Sequence, residues 1–390
     1  MKPGLPILIA MSAIGPIALN IFIPSMPGLS AALGTDYRTA QFSLTFFLVS
    51  LAVSQLFVGP VSDRLGRRPV FLIGMVLFIA ASVGCAFAQS IEQLIAGRIL
   101  QAAGGCTGLV MARAIIRDLY DRDESASLLG YMTMAMIVAP MIAPAIGGML
   151  DGWAGWQAGF YLVAALGAAL LATSYYKLHE TNLNPSAPAG WFDFFRKSGQ
   201  LIKEPAFLGY ALNSAFGSGV FFAFIAGAPF VVTELMGGTP RDYGLYFIIV
   251  SIGYMFGNFL SGRFARRAGV NRMITIGSIF AMAGLALLLV VTLWGPLTPL
   301  AIFGPMSIVA ISNGLTIPSA TAGAISVRPE IPGTGAGLSG FLQVGVGAIS
   351  TYVVGLLHNG TQWPMVAVMV CSGLIALCFV ILALSASRST

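Results

Sequence analysis

Charge in this chain is sorted by side, and that pattern limits what it can fold into. Fourteen Asp and Glu residues are spread over 390 positions, and none lies in the middle of an apolar run. Basic residues gather in every second connecting loop: Lys2, Arg64, Arg67, Arg68, Arg117, Arg122, Lys177, Arg196, Lys197, Lys203, Arg263, Arg266, Arg267, Arg272, Arg328 and Arg388. The intervening loops hold only Arg38 and Arg241. Only 9% of residues are charged and 57% are hydrophobic, whereas a soluble globule carries about 25% charged residues. Such a chain dissolves in lipid.

A spanning helix takes roughly 20 apolar residues. Twelve spans are expected, near 5–29, 39–61, 69–89, 91–117, 126–149, 154–176, 206–234, 242–262, 270–294, 297–325, 332–357 and 362–385. Together they fill the length and leave no room for a soluble domain. Because Lys and Arg stay on the cytoplasmic side, both termini are expected there, as an even number of crossings requires. The expectation is a multi-pass protein of the bacterial inner membrane. The net charge of +6 follows from the same rule and implies no nucleic-acid partner. The first apolar run lacks a cleavage pattern and reads as a span, not a signal peptide.

Cys85, Cys106, Cys371 and Cys378 all lie inside spans without a C-x-x-C pair, so they read as packing thiols. With two histidines near loops and no acid at midspan, the chain offers neither metal ligands nor an acid–base set. It has no G-x-x-x-x-G-K loop for ATP. The expectation is no enzyme, no metal and no cofactor.

The long polar stretch 177–205 separates two halves, 1–176 and 206–390. Within it, WFDFFRKSGQLIKEP reads as an amphipathic helix: Trp191, Phe194 and Phe195 toward the membrane interface, Arg196, Lys197 and Lys203 toward anionic headgroups. The halves look like repeats. Ser62-Asp63-Arg64-Leu65-Gly66-Arg67-Arg68 is matched 199 residues later by Ser261-Gly262-Arg263-Phe264-Ala265-Arg266-Arg267. Parallel repeats of six spans build one class of transporter, with substrate held near the midplane between them.

Several motifs resemble those of one family. The loop GPVSDRLGRRPV resembles the motif between helices two and three of the major facilitator superfamily. Arg98-Ile-Leu-Gln101-Ala-Ala-Gly104 looks like the R-x-x-Q-x-x-G motif of its drug:proton antiporters. Arg117-Asp118-Leu119-Tyr120 is similar to the ending of that span in the bicyclomycin/chloramphenicol-resistance (Bcr/CflA) subfamily. Ala143-Pro144-Ala145-Ile146-Gly147-Gly148 resembles the antiporter motif G-P-x-x-G-G, with Ala143 in place of its first glycine. Gly155-Trp156-Gln157, His179-Glu180-Thr181, Ala228-Pro229, Ile317-Pro318 and Gly333-Thr334-Gly335 add to the likeness, which covers nearly the whole chain.

The resemblance implies an all-α membrane protein of twelve helices, in two six-helix bundles related by a pseudo-two-fold axis. It implies an exporter of small amphipathic drug-like compounds that works by alternating access in exchange for protons. The alternative is an uncoupled or substrate-specific metabolite exporter of the same fold. A proton gradient, surrounding lipid and a monomeric state belong to this picture. By family likeness Asp63 holds the start of span eleven. Arg64 or Arg67 pairs with Asp118, with Arg68 alongside, to clamp the halves on the cytoplasmic side. Pro140, Pro144, Gly147 and Gly148 make a kinked, smooth gating helix.

Arg98 is the one charged side chain well inside a span, about 10 Å from its outer end, and an intramembrane arginine is functional by default. Candidate cavity residues are Asn20, Arg98, Gln101, Asn213, Phe221, Tyr254, Asn313 and Gln343, with Met132, Met134 and Met136 as a deformable wall. The chain departs from the subfamily in its first span. There the common D-x-Y-x-P becomes Asn20-Ile21-Phe22-Ile23-Pro24, and an amide cannot titrate. Arg98, Glu234, Asp36 or His358 are left as proton-coupling candidates, Glu234 only if its helix dips inward. With no midspan carboxylate, neutral, zwitterionic or weakly anionic substrates are favoured over cations.

Overall fold

The computed structural model describes residues 3–120, 128, 132, 142–182, 191–328 and 330–386, with backbone only for 191–195, Arg266 and Pro332. All regular structure among them is helical. The first unit, Met1–Ala189, contains α1 (Leu5–Ile21), α2 (Met26–Ala32), α3 (Tyr37–Leu65), α4 (Arg67–Ala86), α5 (Ile91–Leu119), α6 (142–154) and α7 (Gln157–Lys177). The second, Gly190–Thr390, contains α8 (Trp191–Ile202), α9 (Pro205–Phe230), α10 (Pro240–Ala268), α11 (Val270–Trp294), α12 (Pro299–Ser326), α13 (Pro332–Leu356) and α14 (Trp363–Ala386). Among the described residues, 11 helical segments are long and apolar enough to cross a membrane. The expected fifth span, 126–149, falls mostly outside the described residues, and Met134, Met136 and Pro140 lie there.

Side-chain caps mark where several helices start. Asp36 accepts from the Thr39 N–H at 2.9 Å for α3, and Ser90 from the Gln93 N–H at 3.4 Å for α5. Thr239 and Asp242 form a reciprocal capping box for α10, and Thr298 caps α12. All four starts are ones that the positive-inside pattern assigns to the outer face.

The turns at the other ends of α3 and α10 depend on glycine. Gly66 (φ +93°) separates α3 from α4, and Gly269 (φ +79°) separates α10 from α11. Only glycine takes such a conformation without strain. These positions correct the expected repeat. The structural offset is 203 residues (269 − 66), not 199, and Gly66 corresponds to Gly269, not Ala265. The serine–arginine match pairs similar letters one helical turn early, whereas the left-handed glycine sets where each helix stops.

With that register, the units pair their helices alike. In the first, α5 packs against α1, α3 and α4, and α7 against α1 and α4. In the second, α12 packs against α9, α10 and α11, and α14 against α9 and α11. The first core joins Met11, Phe71, Met75, Phe78, Met111 and Ile115, and the second Phe207, Tyr210, Ile274, Ala320 and Val380. Large apolar side chains such as Ile73, Val76, Ile279, Phe259 and Ile381 stay exposed, as lipid-facing surface requires. The amphipathic segment does form α8, but its C-terminal end is held by protein. Leu201 is buried beside Phe207 and Leu338.

Pro144, Gly147 and Gly148 are buried on α6. A side chain at Gly147 would run into the Ile21 carbonyl, so α6 lies backbone to backbone on the end of α1. Replacing Gly147 with Val should force these helices apart and cost about 1–3 kcal/mol. Thermal unfolding in detergent should show a lower midpoint, and an unchanged one would refute the close approach.

Candidate functional site

The intramembrane arginine sits where α1 breaks. Pro24 has no N–H to offer the helix, so α1 stops at Ile21 and a 3₁₀ turn, Ile23–Ser25, leads into α2. The break strands carbonyls of the last turn, because the Phe22 N–H turns to the Asn20 carbonyl. Arg98, one turn past the first turn of α5, fills the gap. Its Nη1 donates to the Ala18 carbonyl at 2.9 Å and to Gln101 Oε1 at 2.6 Å. Gln101 Nε2 donates to Ser82 Oγ at 2.8 Å, and Ser82 donates to the Phe78 carbonyl. One polar chain thus ties α1 to α5 and α4.

No carboxylate pairs with Arg98 among the described residues. Its guanidinium lies 4.1 Å from the ring centre of Phe47, 4.9 Å from that of Phe22 and 5.9 Å from that of Phe160. Ring faces attract a cation, and the broken end of α1 presents the negative pole of its dipole. These groups stand where an acid would otherwise stand. Nε and Nη2 have no hydrogen-bond partner, and the side chain is 0% exposed.

That burial corrects the expectation of an open donor pair. Arg98 and Gln101 are sealed into the first bundle and use their hydrogen bonds to hold helices. Asn20 is also buried. Its amide donates to the Pro16 carbonyl at 2.8 Å, and its Oδ1 has no partner among the described residues. In the second unit, Asn213 donates to the Ala376 carbonyl and Asn313 to the Gly217 carbonyl, both buried. Phe221 packs against Phe222 and Phe247, and Gln343 reaches toward Ser214 and Thr321. Phe221, Tyr254 and Gln343 are only half-buried, so they are the three expected cavity residues that keep some free surface.

The other proton-coupling candidates lie at helix ends. Asp36 is bound to its cap, and the Thr39 side chain and N–H hold its carboxyl below the usual range. A proton carrier needs the opposite shift. Glu234 is exposed on the π-helical turn Val231–Leu235. The His358 ring packs edge-on against Phe230 at 4.5 Å.

The second locus is the charged turn after α3. Arg67 is 5% exposed and reaches Asp63 at 2.5 Å, Asp118 at 3.0 Å and Ser62 Oγ at 2.5 Å. Of the two expected partners for Asp118, Arg67 makes the contact, and Arg64 is exposed. The contact lies wholly inside the first unit. It ties α3, α4 and α5 together, so by itself it bridges no two halves. Arg68 donates to the Tyr175 carbonyl at 2.9 Å and sits over that ring at 5.4 Å.

Sequence reasoning missed Glu180, the residue that completes this cluster. Its carboxylate accepts the N–H groups of Arg67 (2.8 Å) and Arg68 (3.1 Å), the first two residues of α4, and those of Thr181 and Asn182. Asn182 returns a bond to the Asp63 carbonyl, and Thr181 one to Asp118. Gly66 has no room for a side chain because Glu180 occupies it. Burial pushes the Glu180 carboxyl up, but the four N–H donors outweigh it and leave it below the ordinary value. The signal was an acid just past a span, followed by two small polar residues.

The sequence profile described as Major Facilitator Superfamily matches residues 8–351. A chloramphenicol resistance protein of Pseudomonas aeruginosa is 31% identical over 353 residues, 90% of this chain and 83% of that protein. Multidrug resistance protein D of Escherichia coli K12 is 30% identical over 383 residues, 96% of this chain and 94% of that one. In fold, the chain is similar to a peptide transporter crystallised with sulfate, with TM-score 0.80, 14% identity and coverage of 99% of this chain and 95% of the other.

Two variants test the loci. Glu180→Gln should cost about 1 kcal/mol near neutral pH, the low end for bonds to a charge because the carboxylate is partly exposed. Because folding lowers this pKa, the stabilisation is complete above about pH 4.3 and is lost as pH falls through the folded value. Unfolding of both proteins across that range should converge in acid; a constant gap would refute the assignment. Arg98→Met keeps the bulk but leaves the Ala18 carbonyl and Gln101 unmet, at about 2 kcal/mol. An equal or higher melting midpoint would show that Arg98 does not hold the helices.

Proposed function

The chain belongs to the major facilitator superfamily, and from that premise we propose that it exports small amphipathic drug-like compounds by alternating access, in exchange for protons. The observation that carries this reading is likeness over nine-tenths or more of the chain to proteins named for chloramphenicol and multidrug resistance. The motifs at Asp63–Arg68, Arg98–Gly104 and Ala143–Gly148 support it. The protein works as a monomer in the bacterial inner membrane, surrounded by lipid, with both termini in the cytoplasm. It needs no cofactor beyond the gradient and carries out no bond-breaking step.

The charge inventory narrows the substrate. Burying an unpaired cation is expensive, and a buried Arg98 without an acid raises that cost for any second positive charge nearby. Neutral, zwitterionic or weakly anionic compounds fit better. In this reading Phe221, Tyr254 and Gln343, which are half-buried, meet the substrate, and α6 is the element that gates it.

One observation favours a second reading, an uncoupled exporter. Asn20 stands where the related motif carries an acid, Asp36 is fixed as a cap, and Glu234 is exposed. Reconstitution in liposomes with an interior pH dye separates the two. Chloramphenicol-driven proton movement under an imposed gradient supports exchange, and flux indifferent to the gradient supports the uncoupled reading. Asn20→Asp should make flux more pH-dependent than wild type, because it puts a group that can gain and lose a proton where the amide cannot. No chloramphenicol or related flux at all would refute the export reading.

A further inference from the structure

The second unit contains a small pocket, mostly apolar but with a few buried polar atoms, that no transport role has absorbed. It lies between α9, α11, α12 and α14, with a volume of about 20 Å³. Asn213, Ser278, Ser312, Asn313 and Thr316 contribute its polar lining. Each carboxamide gives one N–H to a backbone carbonyl, Asn213 to Ala376 at 3.0 Å and Asn313 to Gly217 at 3.1 Å. Ser278 donates to the Ile274 carbonyl, so it has only lone pairs to offer. Asn213 Oδ1 and Thr316 Oγ1 are fully buried and have no hydrogen-bond partner among the described residues.

Buried polar atoms without partners are expensive, and native proteins satisfy them. A water needs a cavity of about 10–15 Å³ and two to four polar partners, and this pocket meets both requirements. The ligand must be small and must donate hydrogen bonds to oxygens. A metal cation would also suit oxygens, but the lining has no acid, and an unneutralised cation in the membrane interior is costly. We propose that this pocket binds one ordered water, which bridges Asn213 of α9 to Thr316 of α12.

The test uses the full-length protein. Maps that resolve waters, recorded in sodium and again in choline buffer, should show one peak within hydrogen-bond distance of both Asn213 Oδ1 and Thr316 Oγ1 in each. An empty pocket, or a peak seen only with sodium, would overturn the proposal. Thr316→Val supplies a readout of opposite sign. If a water is anchored there, removing the hydroxyl lowers the melting midpoint by a few degrees. If the hydroxyl is simply orphaned, removing it raises the midpoint, and that rise would also overturn the proposal. Asn213→Leu, which fills the pocket, should abolish the peak while the protein still folds.

Discussion

A positive charge buried against the broken end of a helix organises the first bundle. The Arg98 guanidinium needs partners, and the stranded Ala18 carbonyl needs a donor, so each resolves the other's cost. That pairing explains why α1 can stop inside the membrane at Ile21, and why Phe22, Phe47 and Phe160 converge from α1, α3 and α7 on one cation. It also explains how a site can hold an arginine without an acid. The negative pole of a helix and three ring faces share the work of a carboxylate, and none of them can take up a proton.

This places the coupling question on firmer chemical ground. In a transporter of this superfamily, a midspan acid would link substrate to proton by changing charge. Here the equivalent position is Asn20, an amide bonded back to Pro16. That position therefore carries no charge at any pH. Any movement of protons has to enter through a group placed elsewhere, or with the substrate itself.

Much of the architecture was legible because its signals are local and periodic. Apolar runs marked the spans that fall on described residues, whereas the break at Pro24 inside the expected span 5–29 was not read. The repeat was visible, yet its register was off by one turn, because Ala265 and Gly66 share a motif position but not a backbone conformation. The sealed state of Arg98 was not legible, since it depends on rings from distant helices. Glu180 was read only as the end of a family motif. Its role depends on the α7 exit returning to the start of α4, 113 residues earlier in the chain from Arg67, and no spacing rule reveals that.

The caps described above differ in ownership from one face to the other. At the starts of α3, α5, α10 and α12, each helix is finished by a residue next to it in the chain, so the finish travels wherever the helix goes. The start of α4 is finished by Glu180, which arrives from α7. A borrowed finish can be withdrawn by a small shift between two rods, leaving bare N–H groups to find water or another acid. The face that carries the arginine-rich turn is thus the one whose helix ends can be undone without unfolding anything.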